Sequence, residues 1–235
     1  MKKILAILLC ILSACATNNE IKREYYENGN IKEEISLTND TPNGISKFYK
    51  EDGTISREYP YKDGKFHGTL KAYENGKLLT ETPYKDGKKD GIVKIYRRDT
   101  GLIFYEIPYK DDKINGIYNL YHKNGSLMSE ALYEDDKEIW EKEYDENGNL
   151  VKEKKYYDTG DIWSEGLYKN GKLVSGNFYA SKGQLVSTTF FDENKKKTKM
   201  IMYDKDGTPL SETGYKDGEE IYKKKYDKDG NLIEE

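Results

Sequence analysis

The chain repeats itself. "EYPYKDGKFHGTLKAY", residues 58–73, returns as "ETPYKDGKKDGIVKIY", residues 81–96. Aligned on the tyrosine that closes each copy, Tyr26, Tyr49, Tyr73, Tyr96, Tyr121 and Tyr144 recur at steps of 22–25 residues, as do Tyr157, Tyr179, Tyr203 and Tyr226. Between Tyr144 and Tyr157 the step falls to 13, about half a unit. A short fixed period restricts a chain to stacked copies of one supersecondary unit, each unable to fold alone.

The unit is a pair of strands. In the third copy, Thr69–Tyr73 and Leu78–Tyr84 read as strands, Glu74-Asn75-Gly76-Lys77 as a turn, and Lys85–Gly91 as the return loop. Of 21 glycines, 14 directly follow Asn or Asp. Such pairs favour tight hairpin turns because those turns need positive φ. No helical period occurs beyond the first residues. The reading is all-β: an elongated antiparallel meander of tandem β-hairpin repeats. One hairpin is marginal in water, and stacked hairpins support each other.

Several columns run through the copies. Phe48, Ala72, Ile95 and Leu120 fall on one side of their strands, and the closing tyrosines on the other. A Glu precedes a second Tyr by three residues at Glu58/Tyr61, Glu81/Tyr84, Glu106/Tyr109, Glu130/Tyr133, Glu153/Tyr156, Glu165/Tyr168 and Glu212/Tyr215. That spacing puts each Glu and its Tyr on opposite faces. Pro60, Pro83 and Pro108 lie inside strands, where a missing N–H predicts bulged or unpaired positions. Later the columns decay, with Thr188/Phe191 in place of Glu/Tyr.

Composition bears on function. Hydrophobic residues make up 35% of the chain and charged residues another 35%, so a thick core is excluded. The 22 tyrosines argue against disorder and suit a thin sheet with half-wet faces. Net charge is -4 with the signs interspersed, which disfavours nucleic acid as a partner. The two histidines, His67 and His122, have no partner at a catalytic spacing and read as turn residues. No phosphate-binding, hydrolase or zinc motif occurs, and the Asp/Asn/Gly turns lack calcium-loop spacing. We expect no enzyme, cofactor or metal. Stacked Glu offset by Lys accounts for the glutamate column. The candidate binding stripe is Tyr49, Tyr73, Tyr96, Tyr121 and Tyr144, as an aromatic face with a charged rim suits a protein partner.

The first residues read as an address. Met1-Lys2-Lys3 is a basic start, Ile4–Leu12 is apolar but too short to span a bilayer, and Leu12-Ser13-Ala14-Cys15 resembles a bacterial lipobox. The resemblance implies cleavage after Ala14 and acylation of Cys15, hence a membrane partner and an exported protein. It would sit in the outer membrane of a Gram-negative cell, or otherwise in the plasma membrane. With Cys10 removed and Cys15 acylated, the mature chain has no disulfide.

"NGKLLTETPYKDGKKDGIVKIY" resembles the bacterial variant of the MORN repeat, and "GKFHG" at 64–68 is similar to the core of ordinary MORN repeats. The resemblance covers most of residues 20–235. It implies an elongated sheet of hairpins, roles in membrane attachment, dimerisation and scaffolding, and no catalytic residue. Bacterial chains of this pattern also look like YwqK-like antitoxins, which carry no lipobox. The expected layout is a signal peptide at 1–14, an anchor at 15–24, a first repeat block at 25–144, a half-repeat junction at 145–160 and a second block at 161–235. The expected role is a lipid-anchored envelope scaffold that binds protein, with an antitoxin or immunity protein as the alternative.

Overall fold

The computed structural model describes residues 17–235. Strands hold 67% of the chain and form one 23-stranded, antiparallel open sheet with no α-helix among the described residues. Each strand pairs with its neighbour in the chain, from Asn19–Tyr25 against Ile31–Thr38 to Glu219–Tyr226 against Leu232–Glu234. The meander therefore has no crossover. Pairing runs unbroken through the half-repeat, where Tyr144 sits opposite Leu150 and Glu153 opposite Gly166.

Turn chemistry sets this register. Asn75 and Gly76 have φ of 50° and 74°, and Asp86 and Gly87 have 52° and 90°. Both central residues being left-handed defines the type I′ turn, whose twist matches the strands it joins. The segment 85–91 is thus not a loop, as its polar composition suggests. Lys85 and Lys88 close a two-residue hairpin, and the strand resumes through a stub at Lys88–Lys89.

The prolines explain why that strand is broken. The Pro83 carbonyl accepts a bond of 3.1 Å from Asp90 N, and Pro60 and Pro108 accept from His67 and Asn115 at 3.0 Å. The side of proline that lacks an N–H therefore faces the kink; the next strands begin at Gly68, Gly91 and Gly116, and their ladders to the proline strands resume at Lys71, Lys94 and Asn119. A Cβ on Gly91 would lie 2.9 Å from Pro83 Cγ. The expected irregularity at the prolines is found on this side, while Pro60, Pro83 and Pro108 stay in register with Ile45, Thr69 and Ile92 on the other.

A single layer has little interior. Among the described residues Leu37, Val93 and Ala131 are the buried apolar side chains, and Ser46 is fully buried. Lateral pairing and rings lying over small neighbours hold the sheet together in place of a central core.

Candidate functional site

Residues paired across antiparallel strands share a face. Following the register, one face carries Arg23, Glu34, Lys47, Glu58, Lys71, Glu81, Lys94, Glu106, Asn119, Glu130, Lys142 and Glu153 in a single row across twelve strands. We term this the front face. The charges alternate along the row except at Asn119. The Arg23 guanidinium, 2.8 Å from Glu34, and the Tyr49 hydroxyl hold the Glu34 carboxyl below the usual carboxylate range.

The candidate tyrosines lie on this face, one strand beyond each glutamate. Tyr49, Tyr73, Tyr96, Tyr121 and Tyr144 donate to Glu34, Glu58, Glu81, Glu106 and Glu130 at 2.7–2.9 Å. Burial, then the bond to glutamate, pushes all five hydroxyls up to about 12. Their polar ends are engaged within the sheet.

The rings that touch one another are on the back face. Phe48 and Tyr59 have centroids 4.9 Å apart, Phe66 lies 4.9 Å from Tyr61 and 5.2 Å from Tyr84, and Tyr118 lies 5.8 Å from Tyr105 and 6.1 Å from Tyr133. The Lys89 ammonium caps Tyr109 at 4.6 Å. This stripe is built around the second tyrosine column, which sequence reasoning noticed but did not choose. The three-residue spacing from glutamate was the signal, since it sends Tyr61, Tyr84, Tyr109 and Tyr133 to the face opposite the charges.

At the half-repeat the pattern turns over. Glu141, Lys154 and Glu165 pair across successive strands, each next to a residue of the opposite face. The charged row of the second block is therefore on the back, and its aromatic column, Tyr168, Phe191 and Tyr215, is on the front. Lys154 bridges Glu141 at 2.8 Å and Glu143 at 3.2 Å, and Tyr156 reaches Glu141 at 3.4 Å. Burial, with Glu141 beside it, raises the Glu138 carboxyl. A groove of about 440 Å³ beside this cluster is lined by Tyr156, Tyr157, Trp163, Asp158, Thr159 and Ser181. Further on, Thr188 stands where a glutamate would meet Tyr203 and instead donates to Asn177 at 2.9 Å.

The histidines serve the turns. His67 Nδ1 lies 3.2 Å from an Asp86 carboxylate oxygen, and His122 Nε2 lies 3.1 Å from the Tyr144 carbonyl. Asp204 and Asp227 accept backbone N–H bonds within their own loops. Among the described residues no group of His, Cys, Asp or Glu could hold a metal ion. Cys15 lies outside the described residues.

Residues 21–39, 42–63, 70–86, 114–135, 141–154 and 151–170 match the family model described as MORN repeat variant. Over these segments the chain's repeats are similar to this variant. No curated protein matches it. Among solved structures it is similar to TarM of S. aureus, at 12% identity over 55% of this chain and 20% of that one, with a TM-score of 0.25. It is also similar to a mutant form of the Photorhabdus luminescens Tc holotoxin pore, at 14% identity over 87% and 14%, TM-score 0.24. A porin-like protein from Bacteroides uniformis is 11% identical over 86% and 92%, TM-score 0.19. The chain spans about a fifth of the length of the first of these, TarM.

Proposed function

We propose that this chain is a non-catalytic, lipid-anchored repeat module of the bacterial cell envelope that binds a protein partner through its aromatic back face. The observation that supports this is two runs of touching rings, Phe48 to Tyr84 and Tyr105 to Tyr133, on one face of a single-layered sheet. Aromatic side chains give large contact area at low entropic cost. Acyl chains on Cys15 hold the module at the membrane, and the tyrosines bonded to glutamate keep the sheet in register.

Crosslinking and capture from intact cells tests the reading. One variant has Tyr61, Tyr84 and Tyr109 changed to Ser. The other has Tyr73, Tyr96 and Tyr121 changed to Ser. A stoichiometric partner lost only with the first supports a back-face binding module. A partner retained by both folded variants, or none with the parent chain, refutes it. If the captured partner is a toxin whose growth arrest this chain relieves, the antitoxin role replaces the scaffold. Cys15→Ser should move the protein out of the membrane fraction.

A further inference from the structure

At the loop edge of the sheet, the residue after a closing tyrosine reaches across to the next unit. The Arg97 guanidinium, His122 Nε2 and the Tyr157 hydroxyl meet the carbonyls of Tyr121, Tyr144 and Tyr179 at 2.6, 3.1 and 2.8 Å. On the paired strand the bulge leaves one side chain without a ladder partner. It is Phe104 between Ile103 and Tyr105, and Trp163 between Ile162 and Ser164. The Arg97 guanidinium lies 4.0 Å from the Phe104 centroid and covers that ring. At the half-repeat the shorter Tyr157 stands in the place of Arg97. Trp163 is left 41% exposed, with the Lys155 ammonium 6.0 Å from its centroid.

Trp163 is one wall of the groove of about 440 Å³ that Tyr156, Tyr157, Asp158, Thr159 and Ser181 complete. That volume falls in the range of small-ligand sites. The walls are held from behind. Tyr156 reaches Glu141 at 3.4 Å, and Tyr157 is fixed by the Tyr179 carbonyl. Asp161 accepts from the Thr159 hydroxyl at 2.9 Å and from Lys182 N at 3.0 Å, which ties the loop carrying Ser181 to this one. Within the loop, Tyr157 N donates to the Asp161 carbonyl at 2.8 Å and Gly160 N to the Tyr157 carbonyl at 2.9 Å. With these N–H groups engaged, recognition falls to the side chains.

We propose that this groove binds an uncharged glycan, with a pyranose ring stacked on the Trp163 indole. A pyranose with equatorial hydroxyls presents a flat face of C–H bonds, whose slight positive charge suits the negative face of an aromatic ring. Its hydroxyls both donate and accept, and the rim offers both functions. The Thr159 hydroxyl donates to Asp161 and can still accept, Ser181 can do either, the Asp158 carboxylate accepts and the Lys137 ammonium donates. Asp158 and Lys137 pair at 2.8 Å, so the rim is charge-balanced and favours a neutral ligand. Three rings beside a carboxylate would otherwise suit a quaternary ammonium, but Lys137 and Lys155 already place two cations here. None of these residues belongs to the ring runs assigned above to a protein partner, so the two kinds of binding can be lost separately.

Isothermal titration calorimetry of the full chain tests it, in buffer free of sugar and glycerol. The probes are cellobiose and N,N′-diacetylchitobiose, with choline chloride as the cationic control. Saturable heat from at least one sugar is expected. Trp163→Ala should weaken that binding by about tenfold or more, the scale of one lost stacking contact. Trp163 is exposed and has no ladder partner, so the change leaves strand register intact. Trp140→Phe, outside the groove, should leave the affinity unchanged. Asp158→Asn removes an exposed rim carboxylate and should weaken sugar binding too, which keeps the test decisive if Trp163→Ala does not fold. No saturable heat from either sugar, unchanged affinity in folded Trp163→Ala or Asp158→Asn, or tighter binding of choline than of either sugar would each overturn the proposal.

Discussion

The hydroxyl of Tyr96 donates a 2.7 Å hydrogen bond to a carboxylate oxygen of Glu81, on the adjacent strand and 15 residues upstream. The same separation recurs at Tyr49/Glu34, Tyr73/Glu58 and Tyr121/Glu106. A sheet without a second layer depends on such lateral ties, because each one fixes the register of two strands. Tyr96→Phe keeps the ring and removes the tie. It should lower stability by about 1 kcal/mol, the scale of a half-exposed bond to a charged acceptor. Urea unfolding measures this, and a loss no larger than that of the exposed Tyr25→Phe would contradict the role.

These hydroxyls also set an alkaline limit. Burial and the bond to glutamate raise Tyr49, Tyr73, Tyr96, Tyr121 and Tyr144 to about 12, above the ordinary value of about 10. A folded-state value above the unfolded one gives stability that is complete below pH ~10 and is lost as pH rises toward about 12. The melting temperature should therefore be flat near pH 9 and fall between pH 10 and 12, in step with tyrosinate absorbance. Replacing all five with Phe should flatten that fall. An unchanged slope would assign the alkaline loss to other groups.

The proline and glycine at each broken strand act as a pair. Gly91 has φ of 121°, and a Cβ there would lie 2.9 Å from Pro83 Cγ and 3.2 Å from Pro83 Cβ. Gly91→Ala should cost about 2–3 kcal/mol from backbone strain plus the clash. Gly148 has φ of 82° with nothing within 4 Å of its Cβ position, so Gly148→Ala should cost only about 1 kcal/mol. Adding Pro83→Ala to Gly91→Ala should restore part of the difference. If the two alanine variants unfold at the same urea concentration, the proline contact does not constrain the kink.

The hairpin repeat, its tight turns and the opposition of glutamate and second tyrosine were legible in the sequence because each follows from spacing within one strand. The bond from Tyr96 to Glu81 was not, since it depends on how two strands align. The kink at Asp90–Gly91 was hidden for a similar reason: the polar run 85–91 suits a loop as well as a hairpin followed by a break, and only Pro83 on the neighbouring strand decides between them. The choice of Tyr49 and its equivalents as the binding stripe rested on an aromatic face with a charged rim; that their hydroxyls are bonded to glutamates of the next strand depends, again, on strand alignment. The inversion of faces did leave a trace, in the 13-residue step and in Glu141-Lys142 and Glu153-Lys154, adjacent charges that must lie on opposite faces.

That inversion yields the most specific expectation. In the parent chain Lys142 pairs with Glu153 on the front, while Glu165 pairs with Lys154 on the back. Deleting residues 145–156 removes one loop and one strand and leaves the loop at 157–161 to follow Tyr144. By the register of Tyr156 with Ile162, Tyr144 would then sit opposite Ile162 and Lys142 opposite Glu165. One charged row and one aromatic stripe would run the length of the shortened sheet. A double-mutant cycle with Lys142→Glu and Glu165→Lys reads this directly. Coupling should be about 0.5–1 kcal/mol in the deletion variant, where the two face each other, and near zero in the parent, where the sheet separates them. A folded deletion variant without coupling would mean that the two blocks do not share one repeat frame.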